Sequence, residues 1–283
     1  MEDQLKSAGV DGAAPRRRRG RWWVGAGLAV VLIAIVAIVL ASGGGGGGGP
    51  LNAIAKAAEV TQREPGGHAT IYSTVQSSTT PEGLTEIGSM IFDDSGRAEG
   101  TITVRGHKTG REEKVSAIAN GTTSYVSSDS FDSIPEGKKW VEVDLSSAAS
   151  DTGASTANGP KEGLKVLEGV EGAEKIGQED IDGVPTTHYR GTFPAAEEVF
   201  GVKVDVSDPQ VDVWIDGQER VRRMQVSLTT DVDGLEGSTA TTEMAIDYVS
   251  FGRVPKIELP PADEVFNATS EVESNLQSAT EGG

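Results

Sequence analysis

Residues Trp22 to Ala41, WWVGAGLAVVLIAIVAIVLA, form a run of twenty residues without a charged side chain, directly preceded by Arg16-Arg17-Arg18-Arg19-Gly20-Arg21. A helix of that length spans roughly 30 Å, the hydrocarbon thickness of a bilayer. It satisfies its own backbone amides, as lipid demands. The arginines lie N-terminal to the run, so the positive-inside rule leaves residues 1–21 in the cytoplasm. Trp22 and Trp23 fall where an interfacial aromatic anchor sits. The rest of the chain is then extracytoplasmic, held at the cell membrane by a single pass. The rival is a cleaved signal peptide, with Val39-Leu40-Ala41 as a weak cleavage site. Signal h-regions run about 7–15 residues, so the longer run favours a retained anchor. A core helix is disfavoured, because the polar remainder offers nothing to surround it.

Beyond the run the chain is acidic. Residues 1–21 hold six of the 25 basic and three of the 43 acidic side chains, leaving a net charge of -21 on the remainder. That charge opposes nucleic acid and anionic membrane surfaces as partners. There is no cysteine, which excludes disulfides, thiol chemistry and thiolate zinc sites.

Gly43 to Gly49 is an unbroken glycine run closed by Pro50. No Gly-Lys-Ser/Thr follows it, so it reads as a flexible spacer and not a phosphate loop. Leu51, Ile54, Ala55 and Ala58 then recur at helical spacing, predicting an amphipathic helix over 51–63 that ends before Pro65. Short alternating runs follow: His68 to Val75, Glu99 to Gly106, Val115 to Ala119, Lys138 to Leu145, Thr186 to Phe193, Val211 to Ile215, Val221 to Leu228 and Thr239 to Val249. Asn120-Gly121 and Asp216-Gly217 supply hairpin turns. About ten strands so linked predict a large antiparallel sheet with one covered face. Expected covers are helix 51–63, a helix near Gly159 to Gly169, a turn at Ala195 to Phe200 and the segment Asp263 to Leu276. Residues 146–160 read as a loop.

Catalytic and metal motifs are absent. No His-Glu-x-x-His, Gly-x-Ser-x-Gly or strand-borne Gly-x-Gly-x-x-Gly occurs, and no cofactor is implied. Asp231-Val-Asp233-Gly234 has its glycine too early for a calcium loop and reads as a turn, as does Asp180-Ile-Asp182-Gly183. His188 sits within a strand beside Tyr189, with no partner identifiable, and reads as a structural histidine bonded to backbone and not as a general base. Asn120-Gly-Thr122 and Asn267-Ala-Thr269 fit the short glycosylation pattern. The chain is read as a non-enzyme.

Three segments, Pro135-Glu-Gly-Lys-Lys-Trp140-Val-Glu-Val-Asp144-Leu, Gly177-Gln-Glu-Asp-Ile-Asp-Gly183-Val-Pro-Thr-Thr-His188-Tyr189-Arg190-Gly191 and Val211-Asp-Val-Trp214-Ile-Asp216 followed by Val221-Arg-Arg, share an order and spacing. That order resembles the actinobacterial LppX/LprG-type lipoproteins of the wider lipoprotein-carrier (LolA-like) superfamily. The likeness covers most of 51–260. It implies an antiparallel half-barrel closed by helices around a hydrophobic cavity, binding lipids or lipidated molecules in the cell envelope. One departure stands out. Members carry an acylated lipobox cysteine, whereas Leu40-Ala41-Ser42 is followed here by Gly43. The membrane helix then replaces the lipid anchor.

These readings commit to an α+β fold: a large curved antiparallel β-sheet, or half-barrel, covered by a few helices and preceded by one transmembrane helix. Its parts are a basic tail (1–21), the membrane helix (22–41), a linker (42–50), the β-rich domain (51–262) and a C-terminal helix or polar tail (263–283). The candidate cavity lining is the stripe Met224, Val226, Leu228, Met244, Ile246 and Tyr248, although such a stripe serves a plain core equally well. The expected function is binding of a lipid or other hydrophobic ligand. The alternative is a ligand-free structural, sensor or interaction module.

Overall fold

The computed structural model describes residues 49–77, 83–107, 109–131, 134–144, 146, 159–193, 198–199, 202–232, 239–272 and 274. The basic tail, the apolar run Trp22 to Ala41 and nearly all of the glycine spacer lie outside the described residues. So do most of loop 146–160 and most of the expected turn at Ala195 to Phe200.

Helix α1 runs Pro50–Gln62. Proline at its first turn lacks the amide that a helix start leaves unpaired anyway. Ile54, Ala57, Ala58 and Thr61 make its buried face. Three of these are small, so the helix axis can approach the sheet closely. Thr61 Oγ1 donates to the Ala57 carbonyl (2.7 Å) and accepts from the Val221 amide (2.8 Å), tying the helix to a strand 160 residues away.

The strands are β1 (Gly66–Ser77), β2 (Leu84–Asp93), β3 (Ala98–Gly106), β4 (Glu112–Asn120), β5 (Thr123–Ser127) and β6 (Trp140–Asp144). They continue as β7 (Glu171–Ile181), β8 (Val184–Thr192), β9 (Glu198–Val199), β10 (Val202–Asp216), β11 (Val221–Val232), β12 (Thr239–Phe251) and β13 (Val265–Asn267). They form one open, curved sheet in the order β13-β6-β5-β4-β3-β2-β1-β12-β11-β10-β8-β7, with β9 beside β10. All pairs are antiparallel except β13 with β6. The covers are few, as the sequence predicts, but differ in kind. The segment expected as a helix near Gly159 to Gly169 is a single turn, α2 (Pro160–Gly163), continued by a 3-10 stretch (Leu164–Gly169). The segment from Asp263 is not one helix. It starts as a 3-10 turn (Ala262–Glu264), becomes β13, and is helical again only from residue 269.

Local chemistry closes the hairpins. Between β7 and β8, Asp182 and Gly183 both take positive φ (52° and 81°), the pattern of a type I′ turn. The Asp180 carboxylate accepts from the Gly183 amide at 2.6 Å. Asp216 holds the β10–β11 turn by accepting from the amides of Gln218 (2.8 Å) and Arg220 (3.0 Å). Its carboxylate also takes the guanidinium groups of Arg220 and Arg222, which lie 4.8 and 5.0 Å from the Phe251 ring centre. Burial pushes the Asp216 carboxyl up, but these bonds outweigh it and hold it below the ordinary aspartate range. Asp93 plays the same part between β2 and β3, accepting from Ser95, from the Arg97 amide and from the Ile257 amide at 3.0 Å.

Two apolar clusters form on the face that α1 covers. The larger joins Ile54, Ala57 and Ala58 of α1 and Leu164, Val166 and Leu167 of the 3-10 stretch to inward residues of β10, β11 and β12 and to Ala69, Met90, Phe92, Ala98 and Ala119 of β1 to β4. The smaller gathers Ile102, Val115, Ala117, Val126, Val141, Val143 and Ala268, with the partly buried Phe266 packed against them.

Candidate functional site

The inner face is read directly from the register, because residues opposite each other across an antiparallel pair point to the same side. One row runs Val213, Met224, Ile246, Ile71, Gly88, Ile102, Val115 from β10 to β4. The next runs Val211, Val226, Met244, Ser73, Glu86, Val104. The third contains Leu228, Thr242, Val75 and Leu84. All six residues of the expected stripe therefore share this face, and each is at most 7% exposed.

They occupy two different surroundings. Met224, Ile246 and Tyr248 lie under the covering segment. A Cβ added at Gly163 would meet the Ile246 Cδ1 at 3.0 Å and the Met224 Cε at 3.5 Å. The Tyr248 hydroxyl donates to the Pro160 carbonyl, and its ring meets Phe92 edge-on with centroids 6.2 Å apart. Burial raises the phenol far above its ordinary range. Val226, Leu228 and Met244 sit farther along, toward the β1–β2 and β11–β12 connections.

At that end the face changes character. Ser73, Glu86 and Thr242 are buried at 3%, 5% and 3% exposure. The Ser73 Oγ, Glu86 Oε1 and Thr242 Oγ1 have no hydrogen-bond partner among the described residues. Ser73 is directly opposite Glu86, and Thr242 is opposite Val75, one diagonal step from Ser73. Directly opposed Cβ atoms lie about 5 Å apart and diagonal ones about 7–8 Å or a little less, so the three groups form one patch. Burial pushes the Glu86 carboxyl up from 4.5 to about 7.

Alternation does not reveal this patch. β2 inverts it: Ile87 points out, 58% exposed, while Glu86 points in. A pattern search for apolar-in strands passes over 84–93, and with it Glu86. The one available signal is the carboxylate between Leu84 and Gly88, in phase with Met90 and Phe92.

His188 is structural, but its bonds go to side chains and not to the backbone. It has two partners where sequence reading finds none: Nδ1 lies 2.9 Å from Glu179 Oε1 and Nε2 2.6 Å from Asp212 Oδ1. The imidazole stacks on Trp214, centroids 4.3 Å apart. Trp214 Nε1 donates to Glu179 (2.9 Å) and Arg190 Nε to Asp212 (2.8 Å). Hydrogen bonds from Trp214 and His188 hold the Glu179 carboxyl below its ordinary range. The network lies on the outer face, opposite the candidate stripe, and ties β7, β8 and β10 together. Both imidazole nitrogens are occupied by these structural contacts. The outer face also carries a shallow open groove of about 600 Å³ whose lining includes Ser89, Thr101, Ser116 and Trp140.

Residues 50–246 match the LppX_LprAFG lipoprotein family. The chain belongs to that family. The match spans α1 and every strand through most of β12, and so contains the whole inner-face patch. A curated relative, the uncharacterized 31.2 kDa protein in the rplA-rplJ intergenic region of Streptomyces griseus, is 27% identical over 155 residues. That alignment covers 46% of this chain, and the chain spans about half (48%) of the relative's length. Among solved structures, LppX of Mycobacterium tuberculosis is similar at 16% identity and a TM-score of 0.45, over 74% of this chain and 97% of that one. LprF of Mycobacterium bovis is similar at 11% identity and a TM-score of 0.40, over 75% and 96%.

Proposed function

We propose that this family member is a membrane-tethered extracytoplasmic domain that binds a lipid or other hydrophobic ligand along the inner face of its sheet. The carrying observation is the face itself. Apolar rows continue from β10 to β4, while the helical cover of α1 and 159–169 packs on the end of the face that holds Tyr248, Phe92, Ala98 and Ala119, away from Leu228, Val75 and Leu84. Sheet area in excess of helical cover is what a ligand can bury, at about 25 cal/mol per Å² of apolar surface. In this reading Val226, Leu228 and Met244 touch the acyl chains, and Met224, Ile246 and Tyr248 form the end wall. The thioether of Met244 suits an adaptable apolar surface. Residues Trp22 to Ala41 anchor the domain in place of an acylated cysteine, and the glycine spacer sets its reach.

A second reading has one observation in its favour: the close packing of Met224, Ile246 and Tyr248 under residues 160–163. On that reading the domain is a structural or interaction module with a filled core. Native mass spectrometry of the protein released from detergent separates the two. Adducts of lipid mass, lost in Leu228→Trp while the fold persists, support binding. An adduct-free wild type, together with marked destabilisation of Leu228→Trp, refutes it.

A further inference from the structure

Ser73, Glu86 and Thr242 stand out because no hydrogen bond among the described residues uses them. Elsewhere the described polar groups buried by this chain are engaged: Thr61 bridges α1 to β11, Asp93 and Asp216 hold turns, and Asp212 holds His188 and Arg190. A buried oxygen without a partner is costly, and native proteins satisfy nearly all of them. Three such atoms on adjacent positions of one face mark a place where a bound molecule can supply the partner.

The ligand-binding reading above places an apolar molecule on this same face. Resting on that reading, we propose that Ser73, Glu86 and Thr242 are the recognition point for a neutral, hydroxyl-bearing lipid, whose chains lie on the flanking apolar rows. A hydroxyl donates one hydrogen bond and accepts two, which complements a carboxyl and two side-chain hydroxyls. The charge arrangement argues for neutrality. Glu86 faces Ser73 on β1 and Val104 on β3, with Ile71, Val75, Ile102 and Gly106 diagonal to it, and none of these carries charge. Glu113, opposite Val104, is the nearest acid on the face and is engaged by Ser128 and Ser130. With no cation at the patch among the described residues, a phosphate brought beside Glu86 meets a carboxyl and no counter-charge. An ester-only lipid accepts hydrogen bonds but donates none to Glu86.

The test uses full-length protein, stripped of lipid in detergent and offered equimolar dioleoylglycerol, trioleoylglycerol and dioleoylphosphatidate. Retained lipid is separated by gel filtration and quantified by mass spectrometry. The expected result is a preference for dioleoylglycerol of about tenfold, the value of one good buried hydrogen bond. Glu86→Leu and the double variant Ser73→Ala/Thr242→Val should each lose it. His188→Phe, on the outer face, should keep it. Thermal melts confirm folding; if Glu86→Leu does not fold, the double variant carries the test. Lipid retained without preference, a preference for phosphatidate, or a preference surviving in the folded variants overturns this assignment and leaves lipid binding standing. No lipid of any kind on the wild type overturns the ligand-binding reading itself.

Discussion

Replacing Glu86 by glutamine should change not merely how stable the domain is but how its stability depends on pH. The side chain is 5% exposed, its Oε1 has no partner and no cation neighbours it among the described residues, and burial moves the carboxyl from 4.5 to about 7. The folded state therefore binds a proton that the unfolded state releases between those two values. Stability follows the difference in bound protons, so this group's contribution is fully present below pH 4.5 and declines as pH rises. The decline is complete once pH passes about 7. At about 1.4 kcal/mol per pH unit, the interval corresponds to about 3 kcal/mol. The glutamine side chain has nearly the same shape and does not titrate. Urea unfolding of lipid-free wild type and Glu86→Gln at pH 4.5, 5.5, 6.5 and 8 isolates the effect, because other titrating groups are common to both proteins. Asp93 and Asp216 do not intrude, since their carboxyls lie below the ordinary aspartate value of 3.8. The stability difference should shift by about 3 kcal/mol in favour of glutamine between pH 4.5 and 8. A difference constant to within about 0.5 kcal/mol across that range would refute the reasoning. Glu86 would then be hydrated or paired in solution, and the three oxygens would not be orphans.

Other expectations test other parts of the fold. Asp216→Ala removes the acceptor of two turn amides and strands Arg220 and Arg222 beside Phe251, so urea unfolding at pH 7 should show a loss of about 3 kcal/mol. Protonation of Asp93 and Asp216 should act the same way: their contribution is present above pH 3.8 and lost as pH falls through their lowered folded-state values, visible as acid unfolding. His188→Phe leaves Glu179 and Asp212 short of a partner and should cost about 1–3 kcal/mol by thermal melt, with lipid retention unchanged. For topology, a reporter active only outside the cytoplasm should work when fused at Gly283 and fail at Met1; the reverse would overturn the orientation derived from Arg16 to Arg21.

Much of the molecule is legible along the chain because the relevant physics is local. A charge-free run of bilayer length and an unbroken glycine run are visible without tertiary context. Helix α1 follows from the helical spacing of Leu51, Ile54 and Ala58, although Ala55, expected on the same face, is exposed and Ala57 is buried instead. The turns follow from Asn120-Gly121, Asp182-Gly183 and Asp216-Gly217, where positive φ or side-chain acceptors decide the backbone. Strands with one wet and one dry face, such as β11 and β12, show themselves by alternation. β7 escapes because it is an edge strand, exposed along most of its length and so without apolar rhythm. β2 escapes because its rhythm is inverted, with Ile87 out and Glu86 in. Which residues meet is a matter of register between strands far apart in sequence. β1 pairs with β12, about 180 residues on, and only that pairing sets Thr242 diagonal to Ser73 and completes the patch with Glu86. His188 likewise acquires Glu179 and Asp212 only when β7, β8 and β10 align. Side-chain chemistry is written in the chain; burial and company are properties of the assembled sheet, because desolvation and hydrogen-bond partners come from residues that sequence distance does not predict.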